Sequence, residues 1–161
     1  MVTKERTEKS ITHDDLMKAV DILRNARRET DETRDAAGIL YDMSKSGGKE
    51  FPEASVLISR LEEKDFHGAF KGGITVAKLN VANNEEAHPE ALDYLTRQIV
   101  FRGMYKNDID GVRRSMLDHI ASNPSTPKET LELIAHDKYD RIVREEAQKQ
   151  IGRRRISWQL S

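Results

Sequence analysis

Four residues in the second half of this chain return 39 positions later. Ala82, Asn84, Leu92 and Leu95 are matched by Ala121, Asn123, Leu131 and Ile134. Each set runs from the end of one apolar-periodic stretch, through a turn containing Asn and Pro, into the next. A helical chain that repeats at about 40 residues is confined to stacked hairpins, because one hairpin cannot bury its apolar faces alone and must lie on a neighbour. Such stacks present extended surfaces. The repeat therefore points to binding before it points to chemistry.

The composition agrees. At 161 residues the chain fits one domain with a real core. Aromatics are 6%, so that core must be aliphatic, and four prolines with nine glycines favour long helices over many short strands. There is no cysteine. Disulfides, thiolate catalysis and cysteine-ligated zinc are thereby excluded, and a reducing compartment is suited. No apolar run is long enough to span a membrane, and Met1 to Ser10 is charged where a secretory leader would be apolar. The expected location is the cytoplasm, of a cell or of an infected host, with no membrane partner.

Residues 1–10 read as a flexible tail. Thr12 is a good N-cap, with Asp14 and Asp15 in the first turn, and Leu16, Ala19, Val20 and Leu23 mark one face of a helix. Thr30 caps a second, buried through Ala36, Ala37, Ile39, Leu40 and Met43 and stopped at Gly47-Gly48. Phe51-Pro52 reopens the chain into a third stripe, Val56, Leu57, Ile58 and Leu61, closing near Lys64. Residues 11–64 thus form an N-terminal helical part. Three glycines in 65–73 predict a structured linking loop that buries Phe66 and Phe70.

The repeat part, 74–151, opens with a helix carried by Val76, Ala77, Leu79 and Val81, although a strand remains open for so short a run. Pro89 falls at a first helical position, and Ala91, Leu92, Leu95 and Ile99 follow. Gly103 ends that helix, and Val112, Met116, Leu117 and Ile120 mark the next. Thr126-Pro127-Lys128-Glu129 predicts a capping box with proline at N1, leading into Leu131, Leu133, Ile134 and Ala135. Asp140 caps a last helix, expected to stop at Gly152.

These residues carry a resemblance. Val112-Arg113-Arg114, Ile120-Ala121-Ser122-Asn123-Pro124-Ser125-Thr126-Pro127, Leu131-Glu132-Leu133-Ile134-Ala135-His136-Asp137 and Val143-Arg144-Glu145 resemble the leucine-rich repeat variant. That family sits with the HEAT-like and armadillo-like solenoids. The resemblance covers about residues 74–148. It implies a right-handed helical stack with a protein- or nucleic-acid-binding surface and no reaction. Founding members also carry a cysteine-ligated iron–sulfur cluster, which a chain without cysteine cannot hold. The fold expected is all-α, of about seven helices: a short HEAT/armadillo-like hairpin stack capped by an N-terminal helical bundle, with a shared core.

No motif supplies a cofactor or a metal. Asp108-Ile109-Asp110-Gly111 looks like a calcium loop, but the register puts Lys106 and Leu117 where carboxylates are required. Ser46-Gly47-Gly48-Lys49 and Gly68 to Gly73 do not match a phosphate loop. His13, His67, His88, His119 and His136 show no metal-ligand spacing.

Arginines are the better candidates. Arg113 and Arg144 occupy equivalent Val-Arg positions on one edge of successive layers. They either bond a neighbouring turn, through an aspartate such as Asp137, or form a basic stripe for a partner. Formal net charge is −1, but Lys149 to Ser161 carries four bases and no acid, which leaves −5 on the remainder. That basic tail, 152–161, holds Arg153, Arg154, Arg155 and the lone tryptophan, Trp158. Ile156, Trp158 and Leu160 alternate with polar residues as a strand would. The tail either seals the end of the stack or engages a partner.

The expected function is non-catalytic: an adaptor or assembly component docking on a larger protein through the helical-repeat surface and the tail. The alternative is a nucleic-acid accessory protein using the arginine edge, and the third reading is an enzyme with an unrecognised site.

Overall fold

The computed structural model describes residues 11–46, 52–107 and 111–160. Over them every regular element is helical. The order is α1 (His13–Asn25), α2 (Asp31–Ser46), α3 (Pro52–Ser59), a short 3-10 turn (Glu63–Asp65), α4 (Gly68–Asn83), α5 (Pro89–Val100), α6 (Val112–Ser122), α7 (Lys128–Ala135) and α8 (Arg141–Leu160). The chain is an all-α stack of eight helices over these residues, one more than expected. No helix among them is long and apolar enough to cross a membrane. The expected N-terminal tail, the Gly47-Gly48 stop, Phe51 and the Asp108-Ile109-Asp110 turn lie outside the described residues.

Side-chain caps set four of the helix starts, those of α1, α2, α5 and α8. The Thr12 hydroxyl accepts the Asp15 amide at 3.2 Å while the Asp15 carboxylate accepts the Thr12 amide at 2.8 Å. Thr30 and Thr33 exchange the same pair of bonds before α2. Asp140 Oδ1 accepts the amides of Ile142 and Val143 at the start of α8. Each bond satisfies an amide that the first helical turn leaves without a partner. The box expected at Thr126 is not formed. Its buried hydroxyl turns back and donates to the Ile120 carbonyl at 2.5 Å, while Pro127 takes the cap position of α7 with no side-chain bond.

Helices α2, α4, α6 and α8 pack in succession as one row, and α3, α5 and α7 as a second, so that successive helices of the two rows form successive layers of the stack. Helix α1 lies along α2, and α8 rests on both α6 and α7. One apolar cluster runs from Leu16 to Ala147, so the N-terminal helices complete the core.

The 39-residue spacing is matched bond for bond. The Asn84 amide donates to Val81 and the Asn123 amide to Ile120, then Ala87 donates back to Asn84 and Thr126 to Asn123. Each asparagine side-chain oxygen, Oδ1, accepts the amide two residues on, from Glu86 at 3.0 Å and Ser125 at 2.9 Å. Each side-chain amide then crosses to the preceding layer. Asn84 donates to the Lys45 carbonyl at 3.1 Å, and Asn123 to those of Ala82 and Asn84 at 2.9 and 2.8 Å. Lys45 lies 39 residues before Asn84, so the period extends back into α2.

Segment 65–73 is mostly helix and not a linking loop, since α4 begins at Gly68. Phe70, Ile74, Ala77 and Val81 form its buried stripe. Gly38, in α2, and Gly73 stand inside helices with open space where a Cβ would lie. Each costs about 1 kcal/mol against alanine, and the burial of the stripe outweighs that cost. The same phase puts Val76 outside, 43% exposed, and Lys78 inside at 2%. At the other end α8 passes through Gly152 to Leu160, so residues 152–161 are not an extended tail over the described part. Ile151, Arg154 and Trp158 face the stack at helical spacing, and Ile156 and Leu160 face away.

Candidate functional site

The two Val-Arg positions converge on one residue, Asp137. Arg113, at the start of α6, forks onto Asp137 in the turn between α7 and α8, with N–O distances of 3.0 and 2.5 Å. The side chains are 12% and 1% exposed. Asp137 Oδ2 also accepts the Asp140 amide at 2.9 Å, and its main-chain carbonyl accepts Arg144 Nη1 at 2.8 Å. Both arginines therefore hold the 136–140 turn between α6 and α8. Arg113 additionally lies 5.1 Å from the centre of the Tyr139 ring.

Arg114 extends the pattern by donating Nε to Asp140 at 2.6 Å. Burial alone would raise the Asp140 carboxyl. Hydrogen bonds from Arg114 and from the Val143 and Ile142 amides outweigh it and hold the group below its ordinary value.

Arg154 is engaged in the same way. Its guanidinium donates to the carbonyls of Thr126, at 3.1 Å, and Asn123, at 2.9 Å. It does for the last layer what Asn84 and Asn123 do for the earlier ones. Burial pushes it below its ordinary value, but a guanidinium stays charged at any ordinary pH.

Three of the six predicted site residues, Arg113, Arg144 and Arg154, thus bond within the chain. The remaining three lie on the last turns of α8. Arg153 and Arg155 are exposed and Trp158 is half-buried, with the Lys128 ammonium 5.7 Å from its ring centre. Arg155 and Trp158 line a recess of about 610 Å³ together with Lys128, Glu132, Gln148 and Ile151. After Ala147 no residue of α8 is buried. Ile156 is 70% exposed and Leu160 83%. The end of α8 is a solvent-facing amphipathic helix, basic and apolar together.

A second cluster was not foreseen from the sequence. Lys78 donates to Glu63 Oε2 at 3.0 Å, and the other carboxylate oxygen accepts the Tyr105 hydroxyl at 2.5 Å and the Thr75 hydroxyl at 3.4 Å. Tyr105 holds a left-handed backbone with φ of 62°, a conformation that costs a bulky residue free energy. These bonds tie the 3-10 turn and the 101–107 segment to α4. The lysine's position in the apolar phase of Ile74, Ala77 and Val81 was the available signal.

No protein-family model matches the chain, and comparison with curated proteins and with solved structures returns no match.

Proposed function

We propose that the chain is a non-catalytic binding module, an adaptor or assembly component of the HEAT-like kind, that docks on a protein partner through the exposed end of α8. The observation that carries this reading is the continuation of α8 beyond its last buried residue. Ile156 and Leu160, four residues apart, lie on one exposed face, which is the spacing of anchors that enter a groove on a partner. Arg153 and Arg155 flank them, so an acidic protein surface fits best.

A protein is favoured over nucleic acid because Arg113, Arg144 and Arg154, the arginines expected to face phosphates, are bonded within the chain. The buried Lys78 ammonium is paired with the half-buried Glu63 carboxylate, which fits a structural role for that cluster. The absence of cysteine keeps the cytoplasm, of a cell or an infected host, as the place where it acts.

The test is affinity capture from the native host with the intact chain and with Ile156→Asp/Leu160→Asp. Both positions are exposed, so the variant should keep its helical circular dichroism and lose its specific partners. Undiminished capture by a folded variant would overturn the reading.

A further inference from the structure

We propose that the partner engages this chain with an acidic segment, which lays a carboxylate side chain into the recess between α7 and α8, against Lys128, Arg155 and Trp158. The inference rests on the docking role of the α8 end given above and names the chemistry that the partner brings to it.

The recess has Lys128 and Glu132 on its α7 wall and Gly152, Arg155 and Trp158 on its α8 wall, with a volume of about 610 Å³. Pockets that enclose a small ligand run from about 300 to 1,000 Å³, so a short stretch of peptide fits.

Charge selects the occupant. From Ala147 to Leu160 α8 carries four bases and no acid, in a chain whose formal net charge is −1. Arg154 is engaged by the Thr126 and Asn123 carbonyls. Among the described residues Arg153 and Arg155 have no hydrogen bond or ion pair. Lys128 stands across the recess, its ammonium 5.7 Å from the centre of the Trp158 ring. Glu132 is the one acid in the lining. It lies 3.9 Å from Lys128, and both side chains are about half exposed. So long and so wet a pair contributes little. Two bases against one acid leave a place for a further carboxylate, which Arg155 can receive in a fork.

Trp158 supplies the apolar side of the recess. Its half-buried ring gives the aliphatic stem of a glutamate, or an apolar neighbour, a flat surface to lie on. Tryptophan and arginine together are the residue types that carry most of the energy of interfaces.

Gly152 joins the recess to the docking face. At about 3.6 residues per turn it falls between Arg155, in the recess, and Ile156, on the outer face. A Cβ added there would meet no atom within 4 Å. Packing within the chain therefore does not require glycine, and alanine would strengthen the helix. The gap lets a partner backbone cross α8 closely between the recess and Ile156.

Selection of random linear peptides on the intact chain tests this. The enriched peptides should be acidic, with an apolar residue beside a carboxylate. Trp158 is the only tryptophan, so its fluorescence reports on the recess itself. Each selected peptide should shift that emission saturably, and its affinity should fall about tenfold or more when its acids are replaced by the corresponding amides. Lys128→Gln/Arg155→Gln should weaken the same peptides by a similar factor. Gly152→Leu should also weaken them while leaving the thermal midpoint unchanged or higher, which a purely structural role for Gly152 would not produce. No enriched peptide, or peptides bound as tightly without their acids or by the Lys128→Gln/Arg155→Gln variant, would overturn the proposal. If that happens while Ile156→Asp/Leu160→Asp still loses its host partners, the recess falls and the binding-module reading survives. If capture is also unchanged, both fall.

Discussion

Replacing Asp137 with alanine is expected to destabilise the chain by about 3–5 kcal/mol. Asp137 is buried and accepts two bonds from Arg113 and one from the Asp140 amide. Its removal takes the two-pronged carboxylate away from a nearly buried guanidinium and the Oδ2 acceptor away from the Asp140 amide. Breaking one side of such a pair costs far more than the pair contributes over an apolar replacement, because the surviving charge keeps its desolvation penalty. Urea unfolding of Asp137→Ala, Arg113→Ala and the double variant would measure this. The double variant should cost less than the two singles together. A loss below about 1 kcal/mol, the range of exposed pairs, would contradict the structural role given to this edge.

Leu92→Ala and Leu131→Ala should each cost about 2–5 kcal/mol. Both side chains are fully buried at equivalent points of α5 and α7. The loss combines the transfer free energy of the missing atoms with the cavity they leave, and the spread reflects how far each site can collapse. Guanidinium unfolding at a common temperature checks both. If one substitution proves nearly free, the two layers are not equivalent in energy, whatever their sequence match.

The helical character of the chain and its repeat could be read directly because periodic apolar residues and short polar caps act locally. Thr12, Thr30 and Asp140 cap as expected for that reason. The layer-to-layer bonds of Asn84 and Asn123 could not be read, because their acceptors lie about 40 residues away. Thr126 satisfied a local rule but obeyed a tertiary one: its neighbourhood is buried, and the Ile120 carbonyl competes for its hydroxyl. The glycines near 70 misled for the opposite reason. Glycine weakens a helix by about 1 kcal/mol, too little to stop one whose other face buries Phe70 and Ile74.

The α8 end shows how a short segment supports two periods. Ile156, Trp158 and Leu160 alternate, but Ile151, Arg154 and Trp158 also fall on one helical face. Only the second set has carbonyls and α7 to meet. The division of the arginines into internal and exposed follows from that choice of phase, and no count of basic residues contains it.

The central claim is that beyond Ala147 one face of α8, with Ile151, Arg154 and Trp158, serves the stack, and the other, with Ile156 and Leu160, serves a partner. Amide hydrogen exchange followed residue by residue tests it most directly. In the dilute free chain, amides from Arg155 to Leu160 should exchange much faster than those around Ala147. They should slow markedly when the captured partner is present. Protection at Leu160 equal to that at Ala147 in the free monomer, or no change on binding, would contradict the account.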